Sequence, residues 1–180
     1  VSVDGNEVQI SSPGDAIAHR IGLLPESRKE QALFLDMSIR DNAAMSTFGR
    51  FSTGGVLKRR GIREAVKAEV ASLRVRSTSI DQLVRGLSGG NQQKVVLAKW
   101  MFNLPDVLIL DEPTRGIDVG AKYEIYQLIL DLANKGKTVV MVSSEMPELL
   151  GVCDRIVVMS GGRVAGEVDA KNTTQEEIMT

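Results

Sequence analysis

The sequence has few of the residues that form covalent or metal cross-links. Its 180 residues include one cysteine, Cys153, and one histidine, His19. A single cysteine excludes an internal disulfide, and nothing in the sequence resembles a zinc ligand cluster, so the chain is typical of a reducing cytosolic compartment. We therefore interpret Cys153 as a small buried apolar residue and His19 as a surface residue of a short first helix.

Long apolar runs and an excess of charge are also absent. The longest apolar runs, such as residues 107–110, are too short to cross a bilayer, and no signal peptide precedes them. With 22 Lys and Arg against 23 Asp and Glu, the net charge of −1 gives no bulk electrostatic reason to expect nucleic acid as a partner. The hydrophobic content of 43% is sufficient for one domain with a core.

A complete phosphate-binding loop is missing as well. No segment matches Gly-x-x-x-x-Gly-Lys-Ser/Thr. The triplet GKT at residues 136–138 imitates its end, but Asp131 stands where the leading glycine is required, and the triplet leads from a helix into a strand. Because the chain also begins with Val1 rather than Met, we expect it to be a processed product or a fragment of a longer protein.

Hydrophobic periodicity predicts an α/β fold that contains a helical subdomain. A hairpin is predicted around the turn at residues 4–6, and a strand at residues 21–24. From residue 36 to residue 85 the β character disappears. After residue 90, helices alternate with short apolar strands, which is typical of a parallel sheet covered on both sides. The helices are predicted at residues 91–102, 119–133, 145–150 and 174–179, and the strands at residues 107–110, 138–142, 155–159 and 164–168, the last at an edge.

The segment LSGGNQQK at residues 87–94 is the first of two informative motifs. Ser88, Gly89 and Gly90 immediately precede a predicted helix, whose unpaired N–H groups and positive dipole end favour an anion. The glycines permit close approach of the backbone, and Ser88 adds a hydroxyl donor. Alternatively, Ser88 only caps the helix and the glycines only turn the chain. The residues that follow, together with an acidic strand end downstream, favour a phosphate sensor.

The second motif is an acidic pair at the end of the strand at residues 107–110. Asp111 and Glu112 lie at its C-terminal end, which is where ligands bind in parallel α/β sheets. We predict that Asp111 holds Mg²⁺ through water and that Glu112 polarises an attacking water as general base. The alternative is an acidic pair that caps the next turn, with Pro113 forcing the chain to leave the strand.

Three further residues accompany these motifs. Asp118 is predicted both to cap the helix that begins at residue 119 and to reach across a subunit boundary. Ser143 and Ser144, at the end of the strand at residues 138–142, place hydroxyls where a γ-phosphate would lie. Another helix cap is the alternative interpretation of the two serines.

Together these segments resemble the ATP-binding cassette family, and more narrowly the second half of the tandem ATPase subunits of bacterial monosaccharide importers of the ribose, galactose and xylose kind. The narrower resemblance rests on residues 25–29 (PESRK), 87–94, 111–122 (DEPTRGIDVGAK) and 143–149 (SSEMPEL). It implies a P-loop NTPase-like α/β fold, a mostly parallel sheet with helices on both faces. Residues 1–180 would form a partial, N-terminally truncated C-terminal nucleotide-binding domain that lacks the Walker A region, with a helical signature subdomain at residues 36–90.

The resemblance also implies roles for individual residues. The positions implied to contact ATP are Ser88, Gly89, Gly90 and Gln93 of the signature motif and Asp118 of the D-loop, at the interface between halves. Asp111 and Glu112 close the Walker B strand. Glu26 takes the place of the Q-loop glutamine that touches magnesium, and Ser144 takes the place of the switch histidine. These two departures from the family pattern bear on whether this half's own site hydrolyses ATP efficiently.

Partners follow from the same resemblance. The implied cofactors are ATP and Mg²⁺. The implied partners are the other nucleotide-binding half of the same subunit, a transmembrane permease and, indirectly, an extracytoplasmic sugar-binding protein; no nucleic acid is expected. The implied location of this chain is the cytoplasmic face of the bacterial inner membrane. In the main hypothesis the signature motif acts in trans on ATP held by the preceding half. One alternative is a non-catalytic half that completes the dimer and transmits motion. Another is a soluble cassette protein of DNA repair or translation, for which the expected heptad insertion or basic arm is not visible.

Overall fold

The computed structural model describes residues 1–3 and 5–179. At the N-terminus, β1 (Ser2–Val3) pairs antiparallel with β2 (Asn6–Glu7), so the predicted hairpin is confirmed, although Asp4 of its turn lies outside the described residues. Helix α1 (Pro13–Ala18) follows, with Ser12 accepting a hydrogen bond from the Asp15 N–H at 3.2 Å. The chain then enters β3 (Ile21–Leu24).

The predicted helical subdomain contains two helices and a small hairpin. A π-helical turn at Arg28–Ala32 leads to α2 (Ile39–Ala44), a 3-10 helix at Met45–Phe51, and then β4 (Ser52–Thr53), β5 (Val56–Leu57) and α3 (Arg59–Ser72). The prediction that this region has no β structure is therefore wrong at β4 and β5. Gly54 and Gly55 have φ of +58° and +79°, which is the backbone that a two-residue hairpin turn requires.

The second half of the chain alternates helices and strands, as predicted. Its elements are a 3-10 turn at Val84–Gly86, α4 (Gly89–Met101), β6 (Val107–Asp111), α5 (Val119–Asn134), β7 (Thr138–Val142), α6 (Met146–Val152), β8 (Arg155–Ser160), β9 (Arg163–Asp169), a 3-10 turn at Ala170–Asn172 and α7 (Gln175–Met179). Helix α4 begins at Gly89, earlier than predicted. Gly89 and Gly90 therefore lie in its first turn rather than before it.

Three of the strands form the parallel sheet, in the order β3-β6-β7. Side chains alternate between the two faces of a strand, and Leu24, Leu108 and Leu110 are fully buried. Among the described residues the other face is covered less well than the sequence predicts, because Val140 and Val142 of β7 remain about half exposed. The C-terminal edge of this sheet carries the acidic pair at residues 111 and 112.

The strand predicted at residues 155–159 does not join the parallel sheet. Strand β8 pairs with β9 in a separate two-stranded antiparallel sheet. Gly161 and Gly162 have φ of +54° and +75°, so the chain reverses directly after β8 and forms a hairpin. The predicted edge strand at residues 164–168 is therefore the second strand of this hairpin.

Helix α4 joins the helical subdomain to the sheet. One continuous core includes Ile39 and Val66 from the subdomain, Val95 from α4 and Leu108 from β6. This burial fixes the body of α4, while its N-terminal Ser88 is exposed. Among the residues that the structure describes, no helix combines the length and the apolar character that crossing a membrane requires.

Candidate functional site

The N-terminus of α4 opens into a surface groove of about 350 Å³. The residues that line it are Arg76, Ser88, Gly90, Asn91, Asp118, Gly120, Ala121 and Glu124. Ser88, Gly90 and Asp118, which are separated by up to 30 residues in the sequence, thus come together at one groove. Asp118 also caps α5, where it accepts a hydrogen bond from the Ala121 N–H at 2.9 Å.

Ser88 precedes α4 but does not cap it. Its side chain makes no capping hydrogen bond with the described residues of the helix. Instead, its Oγ accepts a hydrogen bond from Asn91 Nδ2 at 2.9 Å, and Asn91 Oδ1 accepts one from the Arg76 N–H at 2.8 Å. The alternative in which Ser88 only caps the helix is therefore wrong. The first-turn N–H groups and the Ser88 hydroxyl lie at the groove, where the helix dipole favours an anion.

Both glycines after Ser88 occupy sites of close packing. A Cβ atom on Gly90 would lie 2.6 Å from the Cβ of Ala121, where α4 meets α5. A Cβ atom on Gly89 would lie 2.7 Å from Nη2 of Arg28. Since real Cβ contacts are longer than this, the glycines allow the start of α4 to approach its neighbours, a role that the sequence alone did not reveal.

Gln93 is not brought to the groove. Its side chain is 2% exposed, and its Oε1 has no hydrogen-bond partner within residues 1–3 and 5–179. Asn91 lines the groove instead. Helical periodicity could have separated the two positions, because at about 100° per residue Asn91 lies on the same side of α4 as Ser88 and Gln93 does not.

A charged cluster beside the groove was missed by sequence reasoning. Lys94 is 1% exposed, and its Nζ donates to Glu124 Oε2 at 2.7 Å and to the Arg74 carbonyl at 2.9 Å. Arg76 donates to the other oxygen of Glu124 at 2.5 Å. The hydrogen bond from Lys94, with the nearby positive charges, holds the pKa of Glu124 below its usual value. The cluster ties α4 and the segment after α3 to α5.

The two predicted catalytic residues meet at the C-terminal edge of the sheet. Glu112 Oε1 accepts a hydrogen bond from the backbone N–H of Ser144 at 2.8 Å, and the Glu112 N–H donates to the Val142 carbonyl at 2.9 Å. Glu112 has a φ of +44°, a conformation that non-glycine residues adopt rarely and that concentrates at functional sites. The contact uses the Ser144 backbone, and the Ser144 residue itself is exposed.

Ser143 has partners within the protein. Its Oγ accepts a hydrogen bond from the Glu145 N–H at 3.0 Å and donates to Glu148 Oε2 at 3.1 Å. Ser143 is therefore not the N-cap of α6, because that position belongs to Glu145, whose N–H the Ser143 hydroxyl binds. Ser144 is the serine of the pair whose backbone faces the acidic residue at position 112.

The two predicted metal ligands have different surroundings. Glu26 forms an ion pair with Arg115, and Asp111 lies at the end of β6. In the described part of the chain, no group of three or more His, Cys, Asp or Glu residues is placed to hold a metal ion. Mg²⁺ in nucleotide sites commonly takes only one or two protein carboxylates and completes its shell with water and phosphate. A single carboxylate at Asp111 fits that donor set.

Arg28 connects three segments of the site. Its Nη1 and Nη2 donate to the carbonyls of Arg115 at 2.9 Å and Gly116 at 3.3 Å, and its Nε donates to Gln92 Oε1 at 3.4 Å. Burial lowers the pKa of the Arg28 guanidinium. The loop at residues 25–29 is therefore fastened both to α4 and to the turn after β6, which no local sequence pattern indicated.

Comparison with known proteins gives matches along nearly the whole chain. The ABC transporter family matches residues 1–115. The chain is 49% identical over 179 residues to the galactose/methyl galactoside import ATP-binding protein MglA of Treponema denticola, covering 99% of this chain and 36% of that protein. It is 48% identical, with the same coverage, to the ribose import ATP-binding protein RbsA of Chromobacterium violaceum. The chain thus spans about a third of the length of these relatives.

Solved structures share the fold. The dimeric post-hydrolysis state of the ATP-binding cassette MJ0796 bound to ADP and Pi superimposes with a TM-score of 0.75 at 22% identity, covering 95% of this chain and 73% of that one. A nucleotide-free ATP-binding cassette from an ABC transporter gives 0.75 at 19% identity, covering 98% and 70%. These matches confirm the predicted P-loop NTPase-like fold. With the family match and the two sugar-import relatives, they establish that the chain belongs to the ABC transporter family of ATP-binding proteins.

Proposed function

We propose that this chain is part of the ATP-binding subunit that powers import of a monosaccharide through an ABC transporter. In this proposal, Ser88, Gly89 and Gly90 close over ATP that the other nucleotide-binding half of the subunit holds. The observation that carries the proposal is the groove at the start of α4, where the Ser88 hydroxyl is oriented by Asn91 rather than used as a cap. The names of the galactose and ribose import relatives support a sugar as the solute.

The groove suits the terminal phosphate of ATP. Phosphoryl transfer depends on positioned charge and hydrogen-bond donors more than on covalent chemistry. The first turn of α4 offers N–H groups and a dipole, and Ser88 adds a hydroxyl. Asp118 lies on the rim of the same groove, which is the position expected for a residue that faces the other half.

The strand end supplies the groups proposed for hydrolysis. Asp111 would hold Mg²⁺, which neutralises phosphate charge, and Glu112 would accept the proton of the attacking water. The Ser144 N–H fixes one oxygen of the Glu112 carboxylate and leaves the other available to a water. Glu26 is paired with Arg115, so a magnesium contact through Glu26 would require that ion pair to open.

An apolar surface formed by Phe34, Met37 and Leu83 is proposed to dock the transmembrane permease. All three side chains are exposed. Their backbone segments are tied together, because the Val84 N–H donates to the Met37 carbonyl at 3.1 Å and the Met37 N–H donates to the Phe34 carbonyl at 3.0 Å. The surface follows the π-helical turn that begins at Arg28, and Arg28 is hydrogen-bonded to Gln92 of α4. In this proposal, movement of α4 is passed through that contact to the surface. The permease would take its sugar from an extracytoplasmic binding protein, which places this chain at the cytoplasmic face of the membrane.

Ser88→Arg tests the groove. A large cation in place of the hydroxyl would fill the space that the phosphate needs, and groups supplied in trans contribute about 10³-fold or more to phosphoryl transfer rates. We expect the full-length transporter with Ser88→Arg to lose ATP-driven sugar uptake in proteoliposomes. Ser72→Arg, on an exposed serine at the end of α3, is the matched control and should transport normally. Undiminished uptake by Ser88→Arg would refute the proposal.

Phe34→Asp tests the docking surface. A charge in an apolar contact loses the hydrophobic gain and leaves a carboxylate to be desolvated, so we expect the subunit to co-purify poorly with its permease. Val56→Asp is the control, because Val56 is also an exposed apolar residue but lies on the β4–β5 hairpin. Equal co-purification of Phe34→Asp and Val56→Asp would show that the permease docks elsewhere.

A further inference from the structure

We propose that Glu148 is a positioning residue that keeps the Glu112 carboxylate within hydrogen-bonding distance of the Ser144 N–H. The inference rests on the proposed function, in which Glu112 is the general base. Glu148 lies on α6, within the segment at residues 143–149 on which the family resemblance rests, but the sequence analysis assigned it no role. It acts through the segments that carry Glu112 and Ser144 and does not itself touch the nucleotide.

The Glu148 carboxylate is buried and accepts four hydrogen bonds. The residue is 5% exposed. Its Oε1 accepts from Thr114 Oγ1 at 2.5 Å, Tyr126 OH at 2.7 Å and Lys122 Nζ at 2.9 Å, and its Oε2 accepts from Ser143 Oγ at 3.1 Å. Oε1 accepts three of these bonds and Oε2 accepts one, so both carboxylate oxygens have partners inside the protein. A fully satisfied buried network of this kind is rigid.

Two of the four donors lie beside Glu112 and Ser144, and the other two lie on α5. Thr114 lies two residues after Glu112 on the turn that leaves β6, and Ser143 immediately precedes Ser144 at the end of β7. Lys122 and Tyr126 lie on α5, which packs against the buried core. One carboxylate therefore fastens both strand ends to the same helix. The contact between Glu112 and Ser144 joins the same two segments.

The backbone of Glu112 explains why such a fastening is needed. A non-glycine residue with a φ of +44° persists only where its surroundings overdetermine the conformation. The Glu112 N–H bond to Val142 and the turn closed by the Arg115 N–H on the Glu112 carbonyl at 3.1 Å hold it locally. The hydrogen bond from Thr114 to Glu148 adds a constraint from outside the turn.

The carboxylate is charged at neutral pH. Burial acts to raise the pKa of Glu148, but the hydrogen bonds from Thr114, Tyr126, Lys122 and Ser143 together bring it below its usual value. Burial and the bond to this carboxylate raise the pKa of Tyr126 to about 12. Lys122 also pairs with Glu145 at 2.5 Å, so it keeps a carboxylate partner when the network changes.

A comparison of conservative variants separates positioning from simple support of the fold. Thr114→Val and Tyr126→Phe each remove one hydroxyl that donates to the same Glu148 oxygen, with little change of shape. Thr114→Val frees the segment that carries Glu112, whereas Tyr126→Phe frees a side chain of α5. In the full-length protein we expect Thr114→Val to lower kcat for ATP about tenfold more than Tyr126→Phe, with the KM for ATP little changed. Ser143→Ala, which frees the segment before Ser144, should resemble Thr114→Val and serves if the latter folds poorly.

The outcomes distinguish this inference from the function on which it rests. If Thr114→Val, Ser143→Ala and Tyr126→Phe lower kcat equally and in proportion to their losses in Tm, the network only supports the fold and the inference is overturned. A change confined to the KM for ATP overturns it as well. If Glu112→Gln lowers turnover but Thr114→Val and Ser143→Ala do not, the inference alone fails. If Glu112→Gln has no effect, the general-base role fails and the inference fails with it. Faster amide hydrogen exchange at Ser144 in Thr114→Val supports the inference directly.

Discussion

Replacing Glu112 by Gln is expected to lower the ATP turnover of the full-length protein by about 10²–10⁴-fold while ATP binding is retained. The amide has nearly the shape of the carboxylate, and its oxygen can still accept the hydrogen bond from the Ser144 N–H. What it cannot do is take the proton from the attacking water. The change therefore removes one chemical function without altering the backbone at residue 112. Phosphate release and nucleotide binding, measured on the same preparation, report the two effects separately.

A matched control for this change is Glu64→Gln. Glu64 is an exposed glutamate on α3 that pairs with Arg60 one turn away, and exposed pairs of this kind contribute little. We expect Glu64→Gln to hydrolyse ATP at the normal rate. An unchanged rate in Glu112→Gln would exclude Glu112 as general base. It would favour the alternative in which this half completes the dimer and transmits motion while the other site hydrolyses ATP.

Gly90→Ala is expected to have the largest effect on stability. The new Cβ would lie 2.6 Å from the Cβ of Ala121, and both atoms are held by helix backbones, so α4 and α5 must move apart. Overpacking of this kind costs about 1–3 kcal/mol. Because the same two helix starts line the groove, the displacement should also reduce ATP turnover. Urea unfolding of the full-length protein and its ATP turnover are the two measurements.

Gly151→Ala is the control for the second prediction. Gly151 lies in α6, and no described atom comes within 4 Å of a Cβ added there. Removing a glycine from a helix at such a site stabilises it by about 0.5–1 kcal/mol. The two substitutions should therefore have opposite signs. Equal stability of Gly90→Ala and Gly151→Ala would show that the contact between α4 and α5 relaxes without cost.

Where structure depends on nearby residues, the sequence predicted it well. The strands at residues 21–24 and 138–142 have the predicted bounds, because apolar periodicity and turn residues act over a few positions. The predictions failed where pairing depends on turns with positive φ. Two consecutive glycines form the turn of the β4–β5 hairpin, and another two form the turn that pairs β8 with β9 in a separate sheet.

The candidate site shows the same division. The motifs singled out Ser88 and Asp118, which the structure brings to one groove, and Glu112 and Ser144, which meet because the carboxyl ends of parallel strands share one edge. They gave no indication of Arg28, which bonds carbonyl groups 87 and 88 residues away, or of the link between Glu148 and Thr114 across 34 residues. Such contacts depend on how helices pack against the sheet, and no local pattern records that packing.

By itself, the sequence determined the family and the α/β fold, since these follow from residue types at short spacings, and it singled out the helix start and the strand ends as candidate sites. Only the tertiary structure decided that Asn91 rather than Gln93 lines the groove and that Glu26 pairs with Arg115. It also decided that the buried Glu148 carboxylate joins the segments that follow β6 and β7. The physical reason is that a side chain's partners are set by the register and packing of distant elements, which are established only when the core forms.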